Sequence, residues 1–285
     1  MLAIAGVLAA GLLAGAPGGT VSVAAGTVAA SDCGIVVHRK PDGSRWRCTF
    51  GDDFRGTRLD TSKWRVMTSK EFNFGRRNDC YVNTPRNVSV GLGVLTLTAR
   101  REQRAFTCNR GNATYQTRYT AGMVSTFERH VQKYGRFEFR ARLPYTAKPG
   151  VQTSMWLWPD GETGFTSAAT GEIDVAEWYS HVPDRVIPYL HYSTSFLSQN
   201  QATNNYCVVP NVGSWHTYLL EWSPKAITIS FDGKQCLHNT AASGSTFNRP
   251  FMLSMFQGFG LRKNAPTAAT PGINRAQFAW VRMWS

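Results

Sequence analysis

Three acidic residues stand close together in the segment Gly171–Tyr179: Glu172, Asp174 and Glu177. Cleavage of a glycosidic bond with retention of configuration uses such a set. One carboxylate acts as nucleophile and one carboxylic acid as proton donor, about 5–5.5 Å apart. On a regular strand side chains alternate faces, so Glu172 and Asp174 share a face while Ile173 and Val175 point to the core. Glu177 falls out of phase, and a carboxylate turned into a core without a partner is costly. One β-bulge near Val175 and Ala176 returns it to the face of the other two. On this reading Glu172 is the nucleophile, Asp174 its electrostatic partner and Glu177 the general acid/base. The competing reading of the same residues is a solvated acidic edge strand.

Aromatic residues crowd the same stretch. Sugar rings present apolar C–H faces, and flat side chains meet them with large contact area and little lost entropy. Trp156, Trp158 and Trp178 are candidate platforms, with Trp156 favoured over Trp158 by alternation, although any one of them serves equally well as core. Asn78 and Gln257 are polar candidates for substrate contact, each with a structural role as its alternative.

The elements that must position these residues read as strands. Period-two alternation recurs in Asn87–Val90 and Val94–Ala99, joined around Gly91-Leu92-Gly93, then in Arg136–Leu143, Trp215–Trp222, Ala226–Phe231 and Gln277–Trp284. Asp232-Gly233 is a hairpin signal. Long helical periodicity is absent. The 285 residues are 42% hydrophobic and rich in glycine and aromatics, ample for one core. The expected architecture is all-β, a jelly-roll sandwich of two antiparallel sheets of the concanavalin A-like kind, filling residues 31–285 as a single domain.

Residues 1–30 carry no charged side chain, and their densest apolar run, Leu2–Leu13, is too short to span a bilayer. Small residues at Val28-Ala29-Ala30 offer a processing site, although no Lys or Arg precedes the run. The segment reads as an export signal, with a disordered Ala/Gly tail as the alternative. All six cysteines follow it without C-x-x-C spacing. That pattern predicts three disulfides in an oxidising compartment and a secreted protein. Spacing does not choose among the connectivities; sequential pairing (Cys33–Cys48, Cys80–Cys108, Cys207–Cys236) is the expectation. The net charge of +13 is scattered, with short doublets such as Arg100-Arg101 and no basic stripe. Nucleic acid is therefore not the expected partner. Neither is membrane insertion, and the chain is expected to be a monomer acting on a polysaccharide.

Glu172-Ile173-Asp174-Val175-Ala176-Glu177 resembles the E-[IL]-D-x-x-E signature of glycoside hydrolase family 16, in its bulged, laminarinase-like form. Phe50–Phe54 with Leu59–Trp64 is similar to the family's opening segment, Tyr134–Pro144 to its strand before the cleft, and Trp280-Val281-Arg282 to its closing strand. The resemblance runs from about Phe50 to Ser285. It implies a jelly roll and a retaining endo-acting glycosidase, with β-1,3-glucan the commonest substrate of the bulged group. It also implies that His191, otherwise a satisfied structural histidine, lies beside the active site and hydrogen-bonds sugar hydroxyls. Some positions depart from the family. Its W-P-A-x-W stretch reads Gln152-Thr153-Ser154-Met155-Trp156 here, and its N-x-E type motif reads Asn78-Asp79-Cys80-Tyr81. Ala279 stands where members often carry a calcium-binding aspartate, so no cofactor is expected and a structural calcium is expected to be absent or weak. Two rival functions share the sandwich: a non-catalytic β-glucan-binding module, and a hydrolase of mixed-linkage glucan or sulfated galactan.

Overall fold

Alternating sequences become strands wherever one face can be buried, and the computed structural model shows this over residues 33–72, 78–160, 171–192, 202–240 and 245–285. These described residues fall within one compact unit, Ser31–Ser285. The expected export signal, residues 1–30, lies outside them. In chain order the first strands are β1 (Cys48–Asp52), β2 (Arg65–Val66), β3 (Cys80–Tyr81), β4 (Val88–Gly91) and β5 (Val94–Arg110). There follow β6 (Ala113–Ser125), β7 (Gly135–Arg142), β8 (Val151–Pro159), β9 (Glu172–Tyr179) and β10 (Val186–His191). The last are β11 (His216–Trp222), β12 (Ile227–Phe231), β13 (Lys234–Asn239), β14 (Phe251–Phe259) and β15 (Ile273–Trp284).

Hydrogen bonds link them in the order β10-β9-β8-β14-β6-β5-β15-β7-β11-β12-β13. This path folds over on itself because β6 serves two layers: its first part pairs with β5, and Gly122–Ser125 pair with β14. A Cβ at Gly122 would lie 2.3 Å from the Asn87 carbonyl oxygen, so only glycine lets the strand change layers there. The layers pack face to face. Phe137, Phe139, Tyr218 and Leu220 of one meet Met155, Leu157, Ile173, Trp178, Leu253 and Met255 of the other in a common core. The result is a jelly roll whose pairings among the described residues are antiparallel apart from the short parallel contact of β3 with β6.

The expected hairpins are present. Leu92 and Gly93 both take positive φ, as do Asp232 and Gly233, the backbone that tight two-residue hairpins require. Three disulfides join Cys33 to Cys48, Cys80 to Cys108 and Cys207 to Cys236, the sequential pairing. Among the described residues no helix is long and apolar enough to cross a membrane.

Candidate active site

The site is built on β9 and its two neighbours. Against β8, Met155 lies opposite Ala176 and Trp156 opposite Asp174, so Val175 is one residue too many. Against β10 the same excess shows, with Ile187 opposite Glu177 and Tyr189 opposite Asp174. A bulge at Val175 is the outcome, and burial follows it. Ile173, Val175, Ala176 and Trp178 all join the core between the layers, two of them consecutive. Glu172, Asp174, Glu177 and Tyr179 are left for the opposite face. The out-of-phase glutamate thus escapes the interior.

Asp174 is the most buried of the three acids, 4% exposed. A carboxylate so placed needs donors, and His191 supplies one: its Nε2 lies 3.0 Å from Asp174 Oδ2 and 3.8 Å from Glu172 Oε2. The His191 ring stacks on Tyr189, centroids 4.2 Å apart. Burial pushes the Tyr189 phenol above its ordinary range, and the Asp174 and Glu177 carboxylates push it the same way. It therefore stays protonated as a donor beside the acids. At the other end of the row, Glu177 Oε1 accepts hydrogen bonds from Tyr179 Oη at 2.8 Å and from Gln152 Nε2 at 3.1 Å. Beyond Tyr179 a depression opens between His181, Val182, Arg185, Ile187 and Asn205.

The polar and aromatic candidates fare unevenly. His191 joins the acids. Trp156 and Trp158 occupy the acid-bearing face together, since residues two apart point the same way; alternation does not separate them as expected. Their rings meet edge to face at 6.1 Å and are 3% exposed, packed with Met67, Tyr81, Met123, Met252 and Phe256. They underlie the face rather than project from it. Trp178 is corrected from platform to core: it follows Glu177 directly, points the opposite way, is fully buried, and donates its indole N–H to the Pro183 carbonyl. Gln257 is likewise corrected. It shares its phase on β14 with the core residues Leu253 and Met255, is fully buried, and accepts from Thr153 Oγ1 at 2.5 Å. Asn78 donates to the Gly260 carbonyl at 2.7 Å, a bond between chain segments.

Reasoning from sequence missed Gln152, Tyr179 and Tyr189 as neighbours of the acids. A signal for each was present. Gln152 lies an even number of steps from Trp156, Tyr179 two beyond Glu177, and Tyr189 two before His191.

Two positions bear on metal binding. Ligand atoms of Glu172, Asp174 and His191 lie within 4.8 Å of one another, a convergence that equally suits a proton-sharing row. Ala279, in β15 where its pairing with β7 shifts register, has a methyl side chain and so offers a calcium no side-chain oxygen.

The model of glycosyl hydrolases family 16 matches residues 74–281. The glucan endo-1,3-beta-glucosidase A1 of Niallia circulans is 30% identical over 225 residues, 72% of this chain and 32% of that protein. The beta-glucanase of Rhodothermus marinus is 30% identical over 197 residues, 66% of this chain and 64% of that protein. The match thus spans about a third of the first relative and under two thirds of the second. Among solved structures, the endo-beta-1,3-glucanase from Pyrococcus furiosus superposes with a TM-score of 0.74 at 22% identity. The overlay covers 87% of this chain and 97% of that one, a likeness of fold.

Proposed function

The chain belongs to glycosyl hydrolases family 16, and from that premise we propose that it is a secreted, monomeric, retaining endo-glycosidase of β-1,3-glucan. The observation that carries this reading is the bulge at Val175, which leaves Glu172, Asp174 and Glu177 on one face. The relatives' names point to the substrate class, and the three disulfides support an oxidising compartment.

In the first step a Glu172 carboxylate oxygen bonds to the anomeric carbon as the bond to the leaving oxygen breaks, and Glu177 passes its proton to that oxygen. In the second, Glu177 takes a proton from water as the water oxygen displaces Glu172, restoring both acids and the original configuration. Asp174, fixed by His191, keeps the Glu172 side of the row oriented. Tyr189 adds a neutral donor nearby. The depression beyond Tyr179 lies at the Glu177 end, where the leaving portion of the chain departs.

Release of reducing ends from laminarin, lichenan, agarose and carrageenan tests the proposal. The wild-type protein is expected to prefer laminarin, and Glu172→Gln to lose activity by orders of magnitude while still binding it. Binding by the wild type without release of ends would make it a glucan-binding module instead. Near-normal turnover by Glu172→Gln would remove the nucleophile assignment.

A further inference from the structure

We propose that Gln152 and Tyr179 are positioning residues for the general acid/base: together they hold Oε1 of Glu177 and leave Oε2 to carry the proton. The inference rests on Glu177 being that acid. Gln152 and Tyr179 lie directly opposite each other on β8 and β9. They stand one alternation beyond the pair Ser154 and Glu177, on the side away from Glu172. Both aim a donor at the same oxygen, at 3.1 and 2.8 Å, whereas Oε2 meets no partner among the described residues.

The consequence is chemical. An oxygen that already accepts from an amide N–H and a phenolic O–H is a poor place for a proton, because a protonated oxygen must donate. The acid's proton is thereby directed to Oε2. Two donors from two strands also restrict a side chain that otherwise turns freely about several bonds. They draw the carboxyl back towards residues 152 and 179, which keeps room beside Glu172 for a sugar. The position of Gln152 is the one at which the resembled family carries the first tryptophan of W-P-A-x-W. Here an apolar platform has given way to a hydrogen-bond donor on the acid.

Leaving-group dependence tests this, because a glycoside with a good leaving group departs without needing a proton. The probes are laminarin and the dinitrophenyl β-glycoside of laminaribiose. The variants are Tyr179→Phe, Gln152→Leu and their double, with Glu177→Ala as reference. We expect kcat/KM on laminarin to fall about ten- to hundredfold in the double variant, since small misplacement of a catalytic group has effects of that order. On the dinitrophenyl substrate it should change less than about threefold, with melting temperatures near wild type. Equal losses on both substrates, or a loss on neither, would overturn the inference. If Glu177→Ala shows the split and the pair variants do not, the acid assignment stands and the positioning role falls. If Glu177→Ala shows no split, the acid assignment itself fails and takes this inference with it. Tyr179→Phe alone, which keeps the ring, gives the same reading if the double variant does not fold.

Discussion

Two histidines show how the surroundings of a side chain decide its work. His191 stands beside two carboxylates, with Nε2 3.0 Å from Asp174, and belongs to the acid row. His130 packs its ring on Phe50 at 5.1 Å, and its buried Nε2 has no hydrogen-bond partner among the described residues. Desolvation dominates there and holds the His130 imidazole below its ordinary value of 6.5, against a smaller opposing pull from Gln132. The sign follows from linkage: below 6.5 the unfolded chain takes up a proton that the folded one resists. The stability that neutral His130 supports is complete above that value and is lost as the pH falls through the lowered folded one. Melting temperatures of wild type and His130→Phe between about pH 7 and pH 5 check this. The wild-type curve should fall more steeply on acidification; parallel curves would show that His130 does not titrate differently on folding.

At the scale of the element, β9 explains both what was legible and what was not. The bulge could be inferred because a lone carboxylate at an odd offset has only two fates, and one of them is costly. The alternation of Arg136–Leu143 and Trp215–Trp222 likewise announced β7 and β11. Harder to read were β8 and β14, buried along their whole length on both faces. When neither face is wet, polarity no longer marks which residues point to the core. Gln257 therefore reads as a cleft residue in sequence and proves to be an interior one. Trp178 misleads for another reason: it stands beside the acids along the chain but on the opposite phase of the strand. Inserting one alanine after Val175 tests the reading of β9. One more residue than a single bulge absorbs turns Glu177 and Tyr179 inward and Trp178 outward, so the variant should be insoluble or melt at least ~10 °C lower. Val175→Ala keeps the count of residues and should cost only about 2 kcal/mol, with activity retained. Equal behaviour of the two variants would mean that the count of residues in β9 does not set the face on which Glu177 lies.

For the whole molecule, the jelly roll supplies one broad layer of strands whose inner face is dry and whose outer face carries the acids on β9. The second layer, reached through β6, gives that first layer its core. Three disulfides reinforce it, closing loops of 15, 28 and 29 residues. The reaction proposed for this scaffold has a stereochemical signature that no binding module or inverting enzyme shares. Two acids close enough for one to bond to the sugar invert the anomeric carbon twice, whereas acids separated by a water invert it once. Proton NMR of the products, recorded in the first minutes of laminarin hydrolysis before mutarotation, reads this directly. With retention, the β-anomer is expected to appear first and the α-anomer only as mutarotation proceeds. An α-anomer appearing first would contradict retention.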